Sequence, residues 1–255
     1  MKDLFSLQGR TALVTGGSRG IGRMIATGLL SHGAKVYISS RKAEACDQTA
    51  SELSALGPCV SLPADVSTVA GAQGLAAAFA AREPVLDILV NNAGAAWGES
   101  FDTFPEKGWD KVMDLNLKSP FFLTQALHKQ LRAAAKNRPA KVINVASIDG
   151  LSVNPLETYS YAASKAGLIH LIKRMSLRLV QDNIVVSGIA PGAFASEMNK
   201  VARDHEHETA RRIPSGRIGV EDDMAGVAVY LASRAGDYVV GQTIVVDGGV
   251  TLARG

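Results

Sequence analysis

Only two cysteines, Cys46 and Cys59, occur in 255 residues, and no C-x-x-C spacing joins them. Two thiols cannot form a disulfide scaffold, and their scarcity suits a reducing compartment. No apolar run approaches the ~20 residues needed to span a bilayer. The opening MKDLFSLQGR has neither an apolar core nor a small-residue cleavage site, so no secretory leader is expected. Charge of one sign is also lacking: 27 basic and 24 acidic residues leave +3, too little to argue for nucleic acid or a membrane as partner. No proline-rich or glycine/serine-rich linker and no internal repeat divides the chain. What is present is 47% hydrophobic and 20% charged, enough to bury a large core. A soluble, cytoplasmic, globular protein is expected, folded as one domain over residues 1–255.

Short β-branched runs alternate with helical stretches. Strands are expected at TALVT (11–15), KVYISS (35–40), CVSLPA (59–64), LDILVNN (86–92), KVINVAS (141–147), IVVSGIAP (184–191) and TIVVDGG (243–249). Several are continuously apolar, as in parallel strands covered on both faces. Ile21, Met24, Ile25, Gly28 and Leu29 give one helical stripe, stopped by His32-Gly33; Leu168, Leu171, Ile172, Met175 and Leu179 give another. Longer apolar-faced helices are expected over about 106–135 and 159–180. The fold class is therefore α/β: a Rossmann-type, doubly wound parallel sheet of about seven strands, with right-handed crossovers and helices on both faces. The polar stretch 199–212 reads as a solvated lid, and its His205-x-His207 pair lacks a third metal ligand.

The first strand runs into Thr15-Gly16-Gly17-Ser18-Arg19-Gly20-Ile21-Gly22, with a helix directly behind. Glycines there permit a sharp turn and let a pyrophosphate approach the backbone, while the helix N-terminus offers unpaired N–H groups. Gly16, Ser18, Arg19, Gly20, Ile21 and Gly22 are the candidate phosphate contacts. An NAD site usually places an acid at the end of the second strand to hold the ribose 2′-hydroxyl. Here that position reads Ser39-Ser40-Arg41-Lys42. Arg41 and Arg19 could clamp a 2′-phosphate, or be solvated surface arginines; taken together, with the acid missing, they favour NADPH/NADP+ over NADH.

Of five tyrosines, only Tyr161 has a lysine four positions on, Lys165. Residues i and i+4 share a helix face, so phenol and ammonium can meet. Carbonyl reduction needs an acid for the developing alkoxide, and a neighbouring ammonium, helped by the positive oxidised nicotinamide, is expected to lower the tyrosine pKa towards neutrality. Ser147 closes the fifth strand, at the sheet edge where ligands bind, and could donate to the substrate oxygen.

Taken in order, these motifs resemble the short-chain dehydrogenase/reductase family. T-G-x-x-x-G-x-G lies at 15–22, Asp65 follows the third strand, and Asn91-Asn92-Ala93-Gly94 closes the fourth. Ser147 precedes Tyr161-x-x-x-Lys165, Pro191-Gly192 follows the sixth strand, and Val246-Asp247-Gly248-Gly249 the seventh. Within the family the chain is similar to the 3-oxoacyl-[acyl-carrier-protein] reductases, especially those of rhamnolipid synthesis, through GRTALVTGGSRGIGRMIATGLL and the AEAC segment. The resemblance implies that Asn116 joins Ser147, Tyr161 and Lys165 as a fourth catalytic position, helping to hold a water chain. It further implies that Asp65 and Val66 meet the adenine, that Asn92, Ala93 and Gly94 lie by the adenosine ribose, and that Lys165 and Tyr161 meet the nicotinamide ribose. Pro191, Gly192, Phe194 and Ser196 would border the nicotinamide, and the two long helices would pair across subunits of a homotetramer.

Two departures bear on the pocket. Ser147 and Tyr161 are 14 positions apart, one more than the commonest family spacing, and Phe194 is bulkier than usual and could narrow the nicotinamide pocket. Trp97 could line the substrate pocket or pack against the lid. The expected substrate is a small molecule or acyl thioester carrying a ketone; a sugar, steroid or aryl ketone is the alternative. A silent NADP(H) sensor is a third reading, one that an intact Asn-Ser-Tyr-Lys set disfavours.

Overall fold

The computed structural model of the chain describes residues 3–195 and 204–253. Seven parallel strands form one sheet in the order β3-β2-β1-β4-β5-β6-β7. They are β1 Thr11–Thr15, β2 Lys35–Ser39, β3 Cys59–Ser61, β4 Ile88–Asn91, β5 Ala140–Val145, β6 Ile184–Pro191 and β7 Thr243–Val246. The order reverses between β1 and β4, which opens a crevice at the carboxyl ends of those strands.

Strand periodicity sorts the apolar side chains into two layers. Leu13, Tyr37, Leu89, Val142 and Val186 face one way, under α3 (Val69–Ala80), α5 (Ser119–Ala126) and α7 (Tyr159–Leu179). Val14, Val36, Ile38, Val90, Ile143 and Ile189 face the other, under α1 (Gly20–Ser31), α2 (Ala43–Leu53) and the late helix Glu221–Ala232. Helix α1 lies close on that late helix: a Cβ at Gly28 would stand 2.7 Å from Ala225 Cβ.

β1 and β6 match the expected runs, and the other five strands are shorter than expected. β3 stops at Ser61, two residues before Pro63, which cannot donate to a ladder. The expected helix over 106–135 is broken into α4 (Glu106–Met113), a π turn Asp114–Lys118, α5, and α6 (His128–Ala134). Pro120, in the first turn of α5, has no N–H for the Asn116 carbonyl four residues back, and its ring crowds that carbonyl. Apolar periodicity runs through the interruption and so conceals it.

Candidate active site

The glycine turn is held from three sides. Thr15 Oγ1 donates to Val90 O (3.3 Å) and accepts from the N–H groups of Asn92 (3.0 Å) and Ala93 (3.1 Å). Asn92 Nδ2 donates to Thr15 O at 2.9 Å and Gly16 O at 3.2 Å. From the α2 side, Thr49 Oγ1 donates to Ser18 O at 2.9 Å. Gly16 has φ +65° and Gly20 φ +51°, the left-handed region that favours glycine. A Cβ at Gly22 would press on the Gly16 carbonyl oxygen. Arg19, the N-cap of α1, makes no side-chain cap, so the first-turn N–H groups face the crevice open.

Beside this turn, at the end of β2, the buried Ser39 hydroxyl has no partner. Arg19 and Arg41 are exposed. Asp65 is also exposed; burial pushes its carboxyl up, but hydrogen bonds from Ser67 and the Arg41 charge outweigh this and hold it below the usual range. Val66 is 5% exposed and packs in the core, so its side chain serves the fold.

The reaction centre is assembled where β5 meets α7. Gly150 approaches α7 so closely that a Cβ would stand 2.6 Å from the Lys165 carbonyl carbon. That contact brings Ser147, two residues past β5, into hydrogen-bonding reach of Tyr161 in the first turn of α7. Ser147 Oγ also accepts from Asp149 N at 3.1 Å. Burial pushes the Tyr161 phenol up, its hydrogen bond with Ser147 opposes this, and Asp149 adds to the rise. The expected lowering by Lys165 is therefore not what this geometry gives. Lys165 is itself buried, its ammonium brought down to about 8 by desolvation, and it donates to Val145 O at 2.7 Å. Its Nζ lies 5.7 Å from the Tyr161 ring centre.

Asn116 sits buried in the π turn, and its side chain is fully engaged. Nδ2 donates to Ala95 O (2.9 Å) and Ser164 Oγ (3.0 Å), while Oδ1 accepts from Ala95 N (2.8 Å). Ser164 Oγ in turn donates to Tyr161 O at 2.8 Å. A Cβ at Gly94 would lie 3.2 Å from Asn116 Oδ1 and 3.8 Å from Lys165 Nζ, so Gly94 separates the two. The asparagine side chain thus braces the tyrosine turn, which spacing alone did not reveal.

Other expectations resolve differently. Phe194 is buried: its ring is 2% exposed and lies against Gly219, where a Cβ would collide with it. Trp97 packs on Gly108 of α4 and under Lys111 Nζ, 5.3 Å from its ring centre. Gly192 is pinned by its N–H to Val246 O at 2.9 Å and by the Asp247 side chain, beside Pro191 at the end of β6. Ser196 lies outside the described residues. A cavity of about 510 Å³ borders Phe194, Ile213, Arg217 and Val245, away from Ser147 and Tyr161. Sequence reasoning left out Thr15 as an organising hydroxyl, and Asn91, whose amide spans to Asn144 Oδ1 (3.0 Å) and Thr124 Oγ1 (3.2 Å). The polar identity of Asn91 and Asn144 within apolar strands was the available signal.

A dinucleotide fits these residues. Among the described residues the buried Lys165 ammonium has one hydrogen-bond partner for its three donors. The open α1 N-terminus suits a phosphate, and the orphan Ser39 hydroxyl with Arg19 and Arg41 suits a charged ribose end.

Comparison with known proteins agrees. A family model described as enoyl-(acyl carrier protein) reductase matches residues 16–251. A rhamnolipids biosynthesis 3-oxoacyl-[acyl-carrier-protein] reductase of Pseudomonas aeruginosa is 48% identical, over 99% of this chain and 100% of its own. A gluconate 5-dehydrogenase of Gluconobacter oxydans is 37% identical, over 98% of each chain. Among solved structures, the Pseudomonas aeruginosa RhlG/NADP active-site complex superposes with a TM-score of 0.95 at 47% identity, covering 98% of this chain and 100% of that one.

Proposed function

Because the chain belongs to the short-chain dehydrogenase/reductase family, we propose that it is an NADPH-dependent oxidoreductase reducing a 3-oxoacyl thioester or related ketone to a secondary alcohol. The observation that carries this is the convergence of Ser147, Tyr161 and the buried Lys165, whose Nζ lies 5.7 Å from the Tyr161 ring centre, at the carboxyl edge of the sheet. Gly16, Ser18, Gly20, Ile21 and Gly22 would hold the pyrophosphate, and Arg19 and Arg41 the 2′-phosphate. Asp65, Val66, Asn92, Ala93 and Gly94 would border the adenosine, and Pro191, Gly192, Phe194 and Ser196 the nicotinamide end. Bound there, the reduced nicotinamide supplies the hydride.

The chain's own residues supply the rest. Ser147 donates to the substrate carbonyl oxygen and orients it. Tyr161, kept protonated by its burial, gives its proton to that oxygen as charge develops. Lys165 keeps a positive charge beneath the phenol and offers its remaining N–H groups to ribose hydroxyls. Asn116 braces the turn that carries Tyr161.

An acyl substrate is favoured over a polyol by the segment between Ser147 and Tyr161, which turns Leu151, Val153 and Leu156 outward, 48%, 92% and 69% exposed. The similar RhlG structure is an NADP complex, which supports the same cofactor here. We further assign the chain to one domain, a cytoplasmic setting and a homotetramer, with no nucleic-acid or membrane partner. Among the described residues no helix is long and apolar enough to cross a membrane.

The test follows NADPH and NADH oxidation with acetoacetyl thioesters, 5-keto sugar acids and aryl ketones. NADPH-dependent turnover favouring the thioesters is expected, with Tyr161→Phe losing roughly 10²-fold or more in kcat while still binding NADPH. Turnover confined to the sugar acids would move the chain to the gluconate dehydrogenase branch. Undiminished turnover in Tyr161→Phe would remove that residue from its role.

A further inference from the structure

Helix α7 bears Tyr161 in its first turn, yet that turn lacks local fastening. The N-cap Thr158 makes no side-chain cap, and no acidic residue lies in the first turn. A helix start left in this way frays readily, which is incompatible with holding a proton donor in place. The fastening comes from elsewhere. Glu157 Oε1 accepts from Phe101 N at 3.2 Å and from the Tyr159 hydroxyl at 3.0 Å, and Glu157 O accepts from Glu99 N at 3.2 Å. The Tyr159 ring meets Phe101 edge-on at 5.6 Å and Phe104 at 5.7 Å, and Phe104 meets Trp109 at 6.4 Å. Each such pair adds its own directional attraction. The group therefore ties the segment after β4, and through Trp109 helix α4, to the two residues that flank the start of α7.

We propose that Glu157 and Tyr159 are positioning residues for Tyr161, forming a tertiary cap that replaces the missing local one. The proposal rests on Tyr161 being the proton donor. Glu157 and Tyr159 act on turnover through the placement of the phenol and touch neither substrate nor cofactor. On the far side of Tyr161 the Asn116–Ser164 pair holds the same turn by its carbonyl, so the tyrosine is gripped from before and behind.

The test uses the full chain in five variants: Tyr159→Leu, Tyr159→Phe, Glu157→Ala, Glu157→Gln and Tyr161→Phe. Measured for each are kcat and KM with an acetoacetyl thioester, the NADPH Kd by fluorescence, and the Tm. Tyr159→Leu and Glu157→Ala are expected to lower kcat roughly fivefold or more, with KM, NADPH Kd and Tm close to the parent. Glu157→Gln should recover most of the turnover, because its amide oxygen still accepts from Phe101 N and Tyr159. Tyr159→Phe, which keeps the ring contacts, should fall between the two. Unchanged kcat in Tyr159→Leu and Glu157→Ala overturns the proposal. A rise in KM alone makes the pair part of the substrate rim, and a joint loss of NADPH binding and Tm makes it general scaffolding; either overturns it. Turnover retained in Tyr161→Phe defeats the proton-donor reading and this inference together. Loss in Tyr161→Phe with none in Tyr159→Leu and Glu157→Ala defeats only the inference.

Discussion

Tyr161 and Lys165 titrate in opposite directions for one reason: burial favours the neutral form of each, raising the phenol and lowering the ammonium. For ketone reduction the phenol must carry its proton and the lysine its charge. The first condition holds throughout the neutral range, whereas the second ends near pH 8, to which burial brings Lys165. The kcat/KM for NADPH, which reports ionisations of the free enzyme, is therefore expected to be level below about pH 8 and to fall above it. A profile that rises through pH 8 would assign the ionisation to a group that must lose its proton. The stability consequence has its own sign. Lys165 titrates lower folded than unfolded, so its burial costs stability below about pH 8, and that cost fades as pH climbs towards 10.5.

Elements, more than single side chains, decide whether these groups meet. The loop after β5 must lie almost on the backbone of α7, and Gly150 alone allows it, since any Cβ would be 2.6 Å from the Lys165 carbonyl carbon and 2.8 Å from Ala166 N. Gly150→Ala is expected to destabilise the fold by ~1–3 kcal/mol and, by parting Ser147 from Tyr161, to lower kcat roughly tenfold. A Tm fall without a kcat fall would show that the loop can yield without moving Ser147. This contact explains what the sequence could and could not disclose. The order of strands and helices was legible because parallel, buried strands are written as continuous apolar runs, and Thr15-to-Gly22 and Tyr161-to-Lys165 are local in the chain. The π turn around Asn116 was not legible, because apolar periodicity continues across it and only Pro120 marks the break. The packing of Phe194 and Trp97 was not legible for a related reason. Their partners, Gly219 and Gly108, are glycines whose missing side chains make room for a ring, and no local pattern announces such a pairing. Nor does spacing report desolvation, which raises the Tyr161 phenol in the chain by itself.

On the scale of the whole molecule the two ends of the sheet divide the work. At the amino ends of the strands a buried charge network locks the fold. Arg10 Nη1 donates to Ala232 O (3.1 Å), Asp87 accepts from Thr11 N (2.9 Å) and Arg138 Nε (3.2 Å), and Lys141 donates to Asp237 (2.6 Å). The carboxyl ends are left to glycine turns and strand-end hydroxyls, where a ligand can approach. Two sets of exposed apolar side chains among the described residues suit contacts between subunits. Phe121 on α5 and Leu177 at the end of α7, with Val180 just beyond, are 38%, 66% and 41% exposed. Strand β7 pairs only with β6, and its Val245 is 39% exposed, leaving an unblocked edge of the kind proteins normally cover. One self-complementary patch gives a two-fold dimer; two on different faces give a closed tetramer of dihedral symmetry. For the homotetramer proposed above, light scattering on the eluting protein should report four copies. Leu177→Asp with Phe121→Asp should reduce this to two, and so, by the other interface, should Val245→Glu. If either variant alone produced monomer, the two patches would be parts of one interface, and a dimer would be the complete assembly.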